Sequence, residues 1–140
     1  MPFDFHWHDP DHSIIRIDTY GETTWDEFTK AVDRIVEELS KTNHRIDVVF
    51  NNQTSVPKGN PLPHLWAAKR RIAAYDDHFG ILITVGSRST SSIIKAMSDI
   101  VTRVYKLDQK HRGHEALTME QALEQIAKSR ARARVSVSKA

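Results

Sequence analysis

The sequence predicts an α/β domain: a mixed, mostly parallel β-sheet with about four helices, opening with a β-hairpin. Three observations predict it. Two segments of alternating polarity stand at the start, separated by a Pro-containing turn. Two compact apolar runs, "IDVVF" and "ILITV", have strand length and are rich in β-branched residues, as buried strands are. Capped segments of helical period lie between and after them, the alternation that builds parallel sheets through crossover helices.

Each element has its own justification. In "FDFHWH", Phe3, Phe5 and Trp7 fall on one strand face, and His6 and His8 on the other. "DPDH" supplies a turn, with Asp9 first and Pro10 presetting the second position. "SIIRIDTY" alternates again, with Ile15, Ile17 and Thr19 opposite Arg16 and Asp18, so the pair reads as a hairpin with one covered face. Trp25, Phe28, Val32, Ile35 and Leu39 then recur at intervals of three and four, one apolar helical stripe. Thr24 caps this helix, Glu27 completes a capping box, and Asp26–Lys30 and Arg34–Glu38 are expected i,i+4 pairs.

"IDVVF", 46–50, reads as a buried strand. Asn60 caps a second helix with Pro61 at its first position. Leu65, Ala68, Ile72, Tyr75 and Phe79 continue its stripe, with an end expected near Asp76. "ILITV", 81–85, is the next strand. A third helix is expected from about Ser91 to Leu107, with Ile93, Met97, Ile100, Val104 and Leu107 inward. "EAL", 115–117, is a short edge strand, and Thr118 with Gln121 opens the last helix, "TMEQALEQIAKSR". Residues 1–128 thus form one domain. Residues 129–140 form a basic tail without a capped pattern, expected to be mobile or at most an added strand.

Composition narrows the role. Among 140 residues there is no cysteine, which excludes disulfides, thiolate metal sites and cysteine nucleophiles. No apolar run approaches the roughly 20 residues of a membrane span. The acidic, His-rich start lacks the pattern of a secretory signal, so a cytoplasmic location without membrane insertion is expected. The net charge of +2 is unevenly placed. The segment from Lys128 onward carries five basic residues and no acid, leaving 15 basic and 18 acidic residues elsewhere. Nucleic-acid binding by the folded body is therefore not expected.

The hairpin, the helix beginning "TWDEF", the strand "IDVVF", the helix beginning "NPLPHL" and "ILITVGS" together resemble a STAS domain. That is the fold of anti-sigma-factor antagonists and of the cytoplasmic tails of anion transporters. The resemblance spans roughly residues 13–128 and rests on element order and local pattern; single-domain STAS-like proteins are the nearest kind. It implies a regulatory or protein-interaction role, with no enzymatic chemistry and no cofactor. The family's regulatory motif, Asp-Ser-Ser-Gly-Leu-Gly-x-Leu, lies at the start of the second helix, and its second Ser accepts phosphate from a kinase partner. Here "KGNPLPHL" keeps the apolar positions as Leu62 and Leu65. Asn60 stands at the phosphoacceptor and Lys58 at the Asp. Asn does not accept phosphate as Ser does, so the family's switch is not expected there.

Binding residues concentrate on loops, which marks the polar stretch after "IDVVF" and the helix it feeds. The expected interaction surface is Thr54, Ser55, Lys58, Asn60, His64, Trp66 and Arg70. Trp66 within one turn of Lys69 and Arg70 reads either as the edge of a core face or as an aromatic and basic contact patch. A second candidate is "GSRSTSS", where Ser87, Arg88, Ser89 and Thr90 precede or open a helix and suit an anion. It lacks the glycine pattern and Lys of a P-loop, and capping explains it as well.

His6, His8, Asp9, Asp11, His12, His111 and His114 show no metal-binding spacing, so no metal is expected. No nucleophile elbow occurs. The expected role is a non-enzymatic interaction domain whose partner is another protein, a second copy of the chain included. The alternative is a module for a small anionic ligand: a nucleotide, a phosphate or a lipid head group.

Overall fold

The alternating and apolar segments assemble into one sheet, with the capped segments packed on it. The computed structural model describes residues 3–20, 22–52, 57–86 and 88–139. Along them run β1 (Phe3–Trp7), β2 (Ile14–Thr19), α1 (Trp25–Lys41), β3 (Ile46–Asn52) and α2 (Pro61–Ala73). Then follow β4 (Phe79–Val85), α3 (Arg88–Val104), a 3-10 turn (Gln109–His111), β5 (His114–Ala116) and α4 (Met119–Lys139). The sheet order is β1-β2-β3-β4-β5. β1 is antiparallel to β2, and the other neighbours are parallel.

Strand order follows chain order, so every crossover steps the same way. Right-handed connections of that kind put successive helices on one face. Accordingly Ala31, Ile35 and Leu39 of α1 and Ile72 of α2 share a core with Phe3, Ile15, Ile17, Ile46 and Val48. On the opposite face α4 lays Ala122 and Ile126 over Val49, Ile81, Ile83, Val85 and Ala116. The result is a three-layer α/β/α stack. α4 reaches the hairpin only at the entry of β2, where it meets Ser13 and Ile14. Farther along the hairpin the second face stays polar: Asp18 accepts from Arg16 Nε at 3.0 Å and from Asn51 Nδ2 at 2.7 Å.

The caps form as the sequence implies. Thr24 Oγ1 accepts from the Glu27 N–H at 3.2 Å, and Asn60 Oδ1 accepts from the Leu62 N–H at 3.1 Å. Thr118 Oγ1 accepts from the Gln121 N–H at 3.1 Å. The pairing on α1 differs from expectation. Lys41 pairs with Glu37 at 2.9 Å, while Arg34 lies over the Phe5 ring, 4.4 Å from its centroid. The stem of Arg34 gains more from covering an aromatic edge of the sheet than from an exposed ion pair, which is worth only about 0.5 kcal/mol.

Three further expectations are corrected. α2 ends at Ala73, and Phe79 begins β4, where it faces the α1–α2 core rather than extending the helical stripe. α4 does not stop at Arg130 but continues helically to Lys139. The Ala and Arg residues of "ARAR" are good helix formers, and no Gly or Pro interrupts them.

The third correction concerns α3, where Ile93, Ile100 and Val104 are not inward. They are 47%, 38% and 61% exposed. The buried side is Ser98, Val101 and Thr102, with Ile94 partly buried beside them. Polar bonds select that side, because Thr102 Oγ1 donates to the His111 carbonyl at 2.8 Å and ties α3 to the 3-10 turn. Two apolar stripes of similar period were present, and periodicity alone does not choose between them.

Candidate functional site

The parallel pairing of β3 with β4 brings the ends of both strands to one edge of the sheet, with Asn51 opposite Val85. Ligands of open α/β sheets collect outside such carboxyl ends. The polar loop after β3 and "GSRSTSS" after β4 both leave from that edge, as their sequence positions imply.

The expected interaction residues divide between tasks. Thr54 and Ser55 lie outside the described residues, as does Ser87. Arg88, Ser89 and Thr90 form the first turn of α3, and their side chains are likewise outside the description. Asn60 is engaged as the cap of α2. His64 turns inward and stacks on Trp25, with ring centroids 4.7 Å apart and planes 3° from parallel. Lys58 and Arg70 are exposed. Trp66 is half-buried between two partners. Arg70 stands over its ring at 5.5 Å, and Tyr105 lies against it at 5.0 Å. Its ring joins α2 to the residue that follows α3, and part of it stays exposed.

α2 contains no acidic residue. Its Arg71 pairs with Asp33 of α1 at 2.5 Å, leaving Arg70 as the basic group over Trp66, with Lys58 exposed before the cap of the helix. Next to this helix lie the exposed Ile93, Ile100 and Val104 of α3 and the half-exposed ring of Tyr105. The outer side of α2 and α3 is thus apolar at its centre, with a basic margin.

Beneath this surface lies a cavity that sequence reading did not find. It has a volume of about 90 Å3 and is enclosed by α1, α2 and α3 against the sheet. Its walls are mostly apolar, with Phe28, Phe50, Leu65 and Leu82 among them. Trp25, Glu27 and Lys69 also line it. Trp25 Nε1 and Glu27 Oε2 are buried, with no hydrogen-bond partner among the described residues. A smaller space continues from it past Lys69 toward His111 and His114.

Lys69 Nζ donates to the His111 carbonyl. Burial pushes the Lys69 ammonium down to about 8, against a weaker opposing pull from Asp99. His111 and His114 are both pushed below the usual histidine range, chiefly by burial. Asp76 opposes the shift at His111 through a 2.7 Å bond to Nε2.

The signals for these residues were present but absorbed elsewhere. Glu27 fitted a capping box, and Trp25 fitted a core stripe. Lys69, grouped with Arg70 as a surface patch beside Trp66, instead turns inward to the His111 carbonyl; it follows Ala68 by one residue, at the margin of the buried stripe of α2.

The Lys69 shift has a measurable consequence. Its folded-state value lies below its ordinary 10.5, so between the two the unfolded chain holds the extra proton. Unfolding then takes up a proton, and stability rises with pH from about 8 to 10.5. Chemical denaturation of wild type and Lys69→Met across this window should show a rise in wild type that the variant lacks. Parallel pH profiles would remove Lys69 as the cause.

Among the described residues no three histidine or acidic side chains converge in a way that could hold a metal. No described helix is long and apolar enough to cross a membrane. In comparisons with known proteins, no family model, no curated protein and no solved structure matches the chain.

Proposed function

We propose that the chain is a non-enzymatic, STAS-like regulatory domain that works by binding a protein partner on the outer side of α2 and α3. One observation carries this reading: Trp66, held between Arg70 and Tyr105, joins α2 to the segment that leaves α3, a helix on which Ile93, Ile100 and Val104 are exposed. Aromatic and arginine side chains dominate interface energetics, and exposed apolar patches mark interaction sites. The STAS-like part is supported by the element order, the opening hairpin and the position of Asn60 at the head of α2.

The partner's face is acidic at its rim and apolar at its centre, complementing Lys58 and Arg70 around Trp66. A second copy fits less well. A two-fold contact sets the same patch against itself, which places Arg70 and Lys58 of one copy near those of the other.

A pull-down from native cells with wild type, Trp66→Ala and Arg70→Glu tests the proposal. Trp66→Ala should weaken capture of the partner by at least about 2 kcal/mol, or roughly thirtyfold in affinity. Arg70→Glu should remove the salt sensitivity of capture. A partner retained equally by all three proteins contradicts this surface.

A further inference from the structure

The cavity under α1, α2 and α3 makes chemical demands that the interaction surface does not explain. Trp25 is only 9% exposed, yet its Nε1 donor has no partner among the described residues. Glu27 Oε2, an acceptor on the same helix, is equally unpartnered. Buried polar groups are ordinarily hydrogen-bonded, and leaving one unmet is costly. Two such atoms on the wall of one cavity point to a missing occupant.

Lys69 adds a third demand. Among the described residues no carboxylate lies within ion-pair distance of its Nζ, and its bond goes to a neutral carbonyl instead. Desolvation, only weakly offset by Asp99, is what lowers its proton affinity. The remaining wall is apolar: Phe28, Ile35, Phe50 and Leu82 are among its residues.

The occupant therefore needs an anionic group for Lys69, a donor for Glu27 and a small aliphatic body. Size limits it further. A cavity of about 150 Å3 is known to hold benzene, and this one is about 90 Å3. We infer that the cavity binds a short aliphatic acid carrying an amino or hydroxyl group beside its carboxylate. The carboxylate supplies the counter-charge of Lys69, and the amino or hydroxyl group donates to Glu27 Oε2. Trp25 Nε1 donates to a remaining acceptor of the ligand. This goes beyond the proposed protein-binding role and uses none of its surface residues.

Four probes, each smaller than benzene, separate the features: glycine, glycolate, acetate and ethanol. Glycine and glycolate carry both acid and donor, acetate has the acid alone, and ethanol lacks the acid. Calorimetric titration of the full chain should give the tightest binding with glycine or glycolate, and which of the two wins identifies the source of the donor. Acetate should bind at least about tenfold more weakly. Ethanol should give no heat.

Lys69→Met should abolish binding of the acids while keeping the stem that fills the wall. The inference is overturned if none of the four binds wild type, or if ethanol or acetate binds as tightly as the substituted acids. Unchanged acid binding by folded Lys69→Met overturns it as well. The ligand series on wild type stands by itself should the variant fail to fold.

Discussion

Replacing Asp47 by Ala is expected to lower stability by about 3 kcal/mol, within the range for breaking a buried ion pair. Asp47 is fully buried near the start of β3, between Ile46 and Val48. Its carboxylate joins the sheet to α4. Arg45 donates to it at 2.9 Å, and Arg130 of α4 donates at 2.8 Å. The Ile81 N–H of β4 donates at 2.8 Å. Arg130 also reaches the Ser13 carbonyl at 3.0 Å, so one arginine fastens α4 to the entry of β2.

Removing the carboxylate leaves the Ile81 N–H buried without an acceptor. It also leaves Arg45 and Arg130 without their counter-charge, although both are partly hydrated. Asp47→Asn should cost less, because an amide oxygen still accepts from Ile81. Urea denaturation of the two variants checks the order. A loss below about 1 kcal/mol in the Ala variant would show that the cluster contributes no more than a surface pair.

Gly80→Ala is the second large effect, and it arises from the same carboxylate. The pairing of β3 with β4 advances irregularly between Ile46 and Val48, so Phe79 and Leu82 both face the α1–α2 core. Gly80 sits in that irregularity. A Cβ there would lie 1.9 Å from Asp47 Oδ1 and 2.6 Å from Arg45 Nε. No rotamer change of a fully buried Asp47 relieves that approach without breaking its bonds. The expected cost is about 3 kcal/mol, at the upper end for overpacking.

The two substitutions should not add. In Asp47→Ala the carboxylate is gone, and the methyl that Gly80→Ala introduces enters the room it leaves. Gly80→Ala made on that background should cost less than about 1 kcal/mol, a coupling of roughly 2 kcal/mol across the cycle. Additive losses would mean that the glycine is needed for its backbone alone.

Asp47 also shows where sequence reading stopped. "IDVVF" was legible as a buried strand, but nothing local told that its Asp is matched by Arg130, 83 residues later. The order of strands and helices was legible throughout because it rests on local signals: alternation, apolar stripes and caps at Thr24, Asn60 and Thr118. Even the three-residue edge strand at His114–Ala116 fell within one residue of its expected place.

What needed the third dimension was the choice between equivalent faces. The stripe Ile93, Met97, Ile100 and Val104 had the right period for a core. The bond from Thr102 to the 3-10 turn rotated it outward. The helix that carries Trp66 and Arg70 was legible from its stripe and its Asn60 cap. The cavity was not legible, because its walls come from three helices and the sheet, and each contributes residues that look ordinary in their own element.

Site-specific photocrosslinking in native cells tests binding at the α2–α3 face most directly. A photoreactive residue placed at Arg70 should yield one dominant crosslinked protein of acidic character, and the product should vanish when Trp66→Ala is added. The same residue placed at Arg16, on the polar side of the hairpin, should not yield it. A crosslink to the same protein from both positions, or none from position 70, would contradict a partner-binding role for this face.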